Sequence, residues 1–309
     1  MKFRCDRDDL VEALNTASKA VTNRATLPVL NGLRLSLEND ILVITGSDLD
    51  LTITVIVEVS GEKDGISVVP AKLLSDVIRS VESGIVDLTV EETDLQVIAG
   101  RSEFVLRTIP ADEYPIFDEI TTEPVNVDAS MLVKALEQVT PAASSDDSRP
   151  ILTGVYMIAE TEGFRLVATD SYRLAVRDMP GSSLLVGQPP ILVPSRALTE
   201  LARLLEGNKE ASLHLGEKEA SFVVNNVRMT TRLIEGEFPD YKRLVPDDNP
   251  NKMTANRSEL RDAVKRVRLL AQEGLMQLIF LDSSISGMVS HIICSNIYSL
   301  MNFGLPNGY

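Results

Sequence analysis

The apolar positions of this chain follow two periods in a repeating order. Over residues 7–21, RDDLVEALNTASKAV, Leu10, Val11 and Leu14 recur at helical spacing; over 129–143, ASMLVKALEQVTPAA, Leu132, Val133 and Leu136 do the same. Asp6 and Asp128 stand where each helix needs an N-cap. The period then changes to two. LRLSLENDILVITGSD and LTITVIVEV read as strands, with a hairpin turn at END. A second helix is expected after Pro70 and again after Pro194, prolines suited to a first turn. Alternating strands close each stretch, IVDLTVEETDLQVIAGRSEFVLRTI in one and SLHLGEKEASFVVNNVRMTTRLI in the other. Helix, strands, helix, strands, twice over, predicts an α+β architecture of tandem domains, each with two helices on antiparallel sheets.

The two stretches are copies. LPVLNGL at 27–33 realigns with RPILTGV at 149–155, so that Pro28/Pro150, Leu30/Leu152 and Gly32/Gly154 coincide at an offset of 122, as do Asp48 and Asp170. VVPAKLLSDVIRSV at 68–81 matches LVPSRALTELARLL at 192–205, and ADEYPIF at 111–117 matches EGEFPDY at 235–241, both at an offset of 124. Three blocks in order at nearly one offset mean duplication of a domain of roughly 120 residues. The repeat sets boundaries at 1–121, 122–250 and 251–309. The third begins with a helix over 256–272, with Leu260, Val264 and Val267 as its apolar stripe. After Gly274 the pattern stops: residues 275–309 hold a single charged residue, Asp282. Two explanations stand, an aberrant or frameshifted terminus replacing the rest of a third domain, or a genuine apolar tail that packs on a partner.

Composition bounds the chemistry. The 309 residues are 44% hydrophobic and 24% charged, an ordinary globular balance, and tryptophan is absent. Cys5 and Cys294 form no CxxC pattern, and with His214 and His291 they make no metal-ligand cluster, so no metal or cofactor is expected. Two distant cysteines point to a reducing, cytoplasmic compartment. No apolar run reaches membrane-span length and the N-terminus lacks a signal-peptide core. GxGxxG, Walker A, GxSxG and HExxH are all missing, and the paired carboxylates Asp146-Asp147 and Asp247-Asp248 lie beside prolines as turn residues, so catalysis is not expected. A net charge of −15 repels nucleic acid unless the cations gather on one surface.

Seven ordered segments, MKFRCDRDDL, NRATLPVLNGL, VVPAKLLSDVIR, RPILTGVYM, VATDSYRLAV, ILVPSRALTEL and EGEFPDYKRLVP, resemble the bacterial sliding clamps, the beta subunits of DNA polymerase III, over residues 1 to about 274. The resemblance implies the DNA-clamp fold: three similar domains per chain and two chains head to tail, in a six-domain ring around double-stranded DNA. Such a ring does no chemistry. It tethers the polymerase III alpha subunit, the clamp loader and other proteins carrying clamp-binding motifs. Holding DNA by topology needs only weak cation contacts, which removes the objection of net charge. The DNA-facing candidates are Arg24, Lys72, Arg79, Arg149, Arg196, Arg203, Lys265 and Arg266, several at matching positions of the two copies, with Lys19 and Lys134 on the opening helices. Carried over by position, the partner-peptide groove comprises Leu152, Thr169, Ser171, Tyr172, Arg173, Leu174, Pro239, Arg243 and Leu244. The subunit interface would use Phe104 and Leu106 against Leu269 and Leu270. The family's homodimer is not expected of a chain holding only the start of a third copy, so ring closure is expected to be impaired. The competing expectation is an acidic protein-interaction scaffold that does not encircle DNA.

Overall fold

The computed structural model describes residues 1–22, 27–117, 120, 122–182, 184–245, 256–259, 261–262, 281–283 and 289–294. The first copy contributes β1 (Lys2–Asp6), α1 (Arg7–Ala17), β2 (Gly32–Glu38), β3 (Ile41–Ser47), β4 (Leu51–Glu58), β5 (Ser60–Lys63), β6 (Gly65–Pro70), α2 (Ala71–Ser80), β7 (Ile85–Glu91), β8 (Asp94–Ala99) and β9 (Ser102–Arg107). The second contributes β10 (Val125–Asp128), α3 (Ala129–Val139), β11 (Gly154–Glu160), β12 (Gly163–Thr169), β13 (Arg173–Pro180), β14 (Ile191–Pro194), α4 (Ser195–Leu205), β15 (Glu210–Leu215), β16 (Glu219–Val224) and β17 (Val227–Arg232). Two further strands follow, β18 (Leu281–Ser283) and β19 (Val289–Cys294). The predicted order of helices and strands is met in both copies.

By packing, the chain forms two compact units, one of residues 1–130 with 200–233, the other of residues 131–199 with 234–309. The first holds a five-stranded sheet in the order β5-β1-β7-β8-β9 and an eight-stranded sheet in the order β10-β15-β16-β17-β4-β3-β2-β6. The pairing of β17 with β4, from Val227 opposite Val55 to Thr231 opposite Leu51, carries residues of the second copy into this unit. Burial of Leu10, Ala13, Leu14 and Ala17 on α1 and of Leu74 and Ile78 on α2 gives the core its helical layer. Asp6 caps α1 by accepting the Asp8 amide at 2.8 Å, and Asp8 and Asp9 favour its positive end. Pro70 occupies the cap position of α2 rather than its first turn. The β2–β3 turn falls at Asn39-Asp40, with Asn39 at φ 53°, a left-handed value asparagine tolerates.

The second unit is built on a six-stranded sheet, β14-β11-β12-β13-β19-β18. Its first hairpins reproduce the first copy in register. Arg34 faces Thr45 as Tyr156 faces Val167, and Thr45 faces Thr54 as Val167 faces Val176. Beyond β13 the sheet continues. Arg173, Leu174, Ala175 and Val176 pair with Cys294, Ile293, Ile292 and His291 of β19. A tail without repeat motifs still supplies strands, because an edge asks of its neighbour only main-chain groups and a β-favouring composition, here Val289, Ile292 and Ile293. Residues 257–259 and 261–262 of the expected third opening helix are helical, started by Asn256, whose side chain accepts the Ser258 amide at 2.9 Å; the rest of that helix lies outside the described residues.

Candidate peptide groove and cationic positions

The stretch between β12 and β13 is a turn made twice in this chain. Asp170 Oδ1 accepts the amides of Tyr172 and Arg173, each at 2.9 Å, while Oδ2 holds Arg173 Nε at 3.1 Å. In the first copy Asp48 Oδ1 accepts the amides of Asp50 at 3.2 Å and Leu51 at 2.9 Å. The residue after each aspartate is left-handed, Leu49 at φ 80° and Ser171 at φ 76°. The residue before supplies a hydroxyl: Ser47 Oγ accepts the Leu49 amide and Thr169 Oγ1 the Ser171 amide, both at 3.1 Å. Both copies therefore reverse direction by the same carboxylate-and-hydroxyl device. Thr169 also donates to the Arg173 carbonyl at 2.7 Å, so its hydroxyl is used inside the turn.

This turn sets the side chains of the second copy. Tyr172 projects outward at 55% exposure, Ser171 and Arg173 are exposed, and Leu174 points in at 4%. Leu174 shares a buried cluster with Val167 and Tyr241, with Tyr156, Val176, Phe238 and Val245 packed against it. Tyr156 stacks on Phe238, centroids 5.0 Å apart and planes 6° from parallel. The structure thus brings Leu174 together with the segment that carries Pro239 and Arg243, both exposed, Arg243 lying 2.9 Å from Asp240. The Leu244 side chain lies outside the described residues. Leu152 is buried in the 3-10 turn Pro150–Thr153, outside this cluster. Sequence reasoning missed Val167, Val176, Tyr156, Phe238 and Tyr241. Strand alternation could have found the first two, since Val167 and Thr169 share one face of β12 and Leu174 and Val176 the matching face of β13.

In the first copy, the positions of Val167, Leu174 and Val176 are Thr45, Thr52 and Thr54. Their hydroxyls serve each other and the turn: Thr52 lies 2.8 Å from Ser47 Oγ and Thr45 3.4 Å from Thr54 Oγ1. Tyr114, at the position of Phe238, donates its hydroxyl to the Thr45 carbonyl at 3.1 Å, and burial pushes that phenol well above its ordinary range.

The cationic candidates are exposed side chains, several of them held by neighbours. Arg79 on α2 donates to Asn15 Oδ1 at 2.7 Å and lies 3.7 Å from Asp76. Arg149 pairs with Asp146 at 2.9 Å, and Arg203 on α4 pairs with Glu200. Hydrogen bonds from Ser148, then Arg149, hold the Asp146 carboxyl below its ordinary 3.8. Lys72 and Arg196 are exposed on α2 and α4. Arg24, Lys265 and Arg266 lie outside the described residues. On β9, the edge strand of the five-stranded sheet, Leu106 is buried at 3% and Phe104 half-buried, while Val105 between them is 63% exposed. Leu269 and Leu270 lie outside the described residues. Among the described residues there is no group of His, Cys, Asp or Glu able to hold a metal, and no helix long and apolar enough to cross a membrane.

Twice-repeated helix-and-sheet domains with a shared turn define a tandem-domain clamp fold, and solved structures of that fold superpose on the chain. The sliding clamp of Bacillus subtilis matches with a TM-score of 0.82 and 29% identity, covering 95% of this chain and 85% of that one. The pol III beta of Caulobacter crescentus matches at 0.83 and 29%, covering 95% and 84%. A Pseudomonas aeruginosa sliding clamp, solved bound to griselimycin, matches at 0.81 and 29%, with coverage of 95% and 84%. Family models for the DNA polymerase III beta subunit match residues 1–118 (N-terminal domain) and 126–240 (central domain). The beta sliding clamp of Bacillus subtilis strain 168 is 32% identical over 298 residues, covering 92% of this chain and 78% of that protein. The chain belongs to the DNA polymerase III beta subunit family.

Proposed function

We propose that this chain is a DNA polymerase processivity factor, a sliding clamp that encircles duplex DNA in the cytoplasm and tethers the polymerase and other partners through a peptide groove. The observation that carries this reading is family membership across both complete copies. The domains run 1–121, 122–250 and 251–309. The groove uses Leu174 and its cluster as floor, Tyr172 and Arg173 as one rim, and Pro239 and Arg243 as the other. The helix cations Lys72, Arg79, Arg196 and Arg203 face DNA, and β9 meets the second subunit. The chain is not an enzyme. Residues 275–309, poor in charge and without the repeat's motifs, impair closure of the ring.

A second reading, an acidic scaffold that binds partners without encircling DNA, draws support from the carboxylates beside Arg79, Arg149 and Arg203 and from the net charge of −15. Loading onto nicked circular duplex, followed by linearisation, separates the two. A clamp is retained on circles at high salt and slides off linear DNA. A chain that closes its ring poorly is retained briefly on both. Salt-sensitive binding indifferent to topology, or none, refutes encirclement.

A further inference from the structure

The segment after β17 is held with few main-chain bonds. Ile234 donates to the Leu192 carbonyl at 2.8 Å, and Arg243 closes the 3-10 turn Tyr241–Leu244 on the Asp240 carbonyl at 3.3 Å. Yet this segment is the second wall of the candidate groove, so side chains must fix where it lies. Phe238 is fixed by its stack on Tyr156. Tyr241 is fixed through a polar network. Arg165 on β12 lies directly opposite Asp178 on β13 and grips it with two bonds, Nε to Oδ1 at 2.5 Å and Nη2 to Oδ2 at 3.1 Å. Two parallel bonds lock the guanidinium plane. Its remaining nitrogen, Nη1, then faces the Tyr241 hydroxyl at 3.4 Å and Glu160 Oε1 at 3.2 Å, the latter within ion-pair reach but without hydrogen-bond alignment.

The first copy is an internal control. At the positions of Arg165, Asp178 and Tyr241 it has Val43, Ile56 and Phe117. The guanidinium, the carboxylate that orients it and the hydroxyl that receives it are all replaced in the copy whose corresponding face is filled by threonines. A surface ion pair kept only for strand stability has no reason to vary together with a hydroxyl 76 residues away in sequence.

We infer that Arg165 is a positioning residue of the groove: oriented by Asp178, it holds Tyr241, and through it residues 238–245, against Leu174. This rests on the groove reading above, and the two can fail separately. The test uses the full chain, a fluorescein-labelled pentapeptide with leucine and phenylalanine at its last two positions, and hydrogen exchange of the 238–245 amides. Tyr241→Phe removes only the hydroxyl. Arg165→Val with Asp178→Ile installs the pair of the first copy, and Leu174→Ala reports on the groove itself. Both network variants should weaken the peptide about five- to tenfold, the scale of one lost positioned contact. They should also speed exchange at 238–245 relative to the amides of β12. Leu174→Ala weakening the peptide while both network variants bind and exchange like the wild-type chain would overturn the positioning role and leave the groove standing. No binding by the wild-type chain, or equal binding by Leu174→Ala, overturns the groove and the inference with it. Should the double variant fail to fold, Tyr241→Phe decides alone.

Discussion

Replacing Asp170 by alanine tests whether the repeated turn has been put to use in one copy only. The carboxylate is 19% exposed and accepts two main-chain amides at 2.9 Å and one guanidinium at 3.1 Å. Deleting a carboxylate that serves main-chain amides in this way costs about 1–2 kcal/mol, as helix caps do. The amides of the exposed Tyr172 and Arg173 recover some water, and the half-exposed arginine pair adds at most about 1 kcal/mol. A total of about 1–2 kcal/mol lowers the melting temperature by about 3–6 °C for a unit of this size. Asp48→Ala, which removes the equivalent bonds at 3.2 and 2.9 Å, should lower it by a similar amount. Peptide binding separates them. In Asp170→Ala the rim must be re-ordered on binding, and the same 1–2 kcal/mol then appears as about a five- to thirtyfold rise in Kd. Asp48→Ala should leave Kd unchanged, and Asp170→Asn, which keeps one acceptor, should recover much of both losses. Calorimetric melting with fluorescence anisotropy reads both quantities. Asp48→Ala weakening the peptide as much as Asp170→Ala, or Asp170→Ala melting early and binding normally, would show that the turn has no use confined to the second copy.

Three further outcomes are expected. Ser171→Gly should raise the melting temperature by about 1–2 °C, since relief of a left-handed serine, worth about 1–2 kcal/mol, exceeds the entropy a glycine adds to the unfolded chain; a lower melting temperature would show that the serine side chain stabilises the turn. Cys5, its thiol pushed up to about 12 by burial and then by Asp6, Asp9 and Asp87, should resist alkylation at pH 8 in a Cys294→Ser background and react fully in denaturant; stoichiometric labelling of the native chain contradicts this. The Asp146 carboxyl should titrate below its ordinary 3.8 by NMR, and Ser148→Ala should raise the midpoint, because Ser148 supplies the largest downward cause. Its folded value being the lower one, its contribution to stability is present above the ordinary value and is lost as pH falls through the depressed one. A midpoint unmoved by Ser148→Ala would put the cause elsewhere.

Much of the architecture was legible because duplication writes it twice. Leu10/Leu132 and Pro70/Pro194 mark helices, and Asp48/Asp170 a turn, that either copy alone would state weakly. Features that depend on what lies across a sheet were not legible. Nothing in the alternation of RSEFVLRTI says which of Val105 and Leu106 faces the core, and the structure buries the latter. Nor does composition announce that β19, from a segment without repeat motifs, pairs with β13. At the proposed groove, Tyr172, Arg173 and Leu174 came from the resemblance, carried over by position, and the first copy has Asp50, Leu51 and Thr52 in their places. The floor beneath them required knowing that Val167 lies opposite Val176 and that a segment some 65 residues downstream in sequence folds back over both. Thr169, carried over as a groove residue, has its hydroxyl used inside the turn.

The two copies cover the same sheet face by different means. In the first, Thr45, Thr52 and Thr54 line the face, and their hydroxyls are met within the sheet and at the turn. In the second, Val167, Leu174 and Val176 put apolar surface in the same places, where no internal hydrogen bond can substitute for cover. Phe238 and Tyr241 supply part of that cover. Val167 and Leu174 are buried and Val176 is half-buried, beside the exposed Tyr172 and Arg173; on the proposed reading an apolar side chain laid against that rim gains about 25 cal/mol per Å² removed from water. Three exchanges of threonine for aliphatic residues at matching register therefore replace hydroxyls met within the sheet by an apolar face, the floor of the proposed groove. On the proposed reading the Arg165–Asp178–Tyr241 network completes that floor, because an apolar surface specifies a partner only when its second wall is held in place.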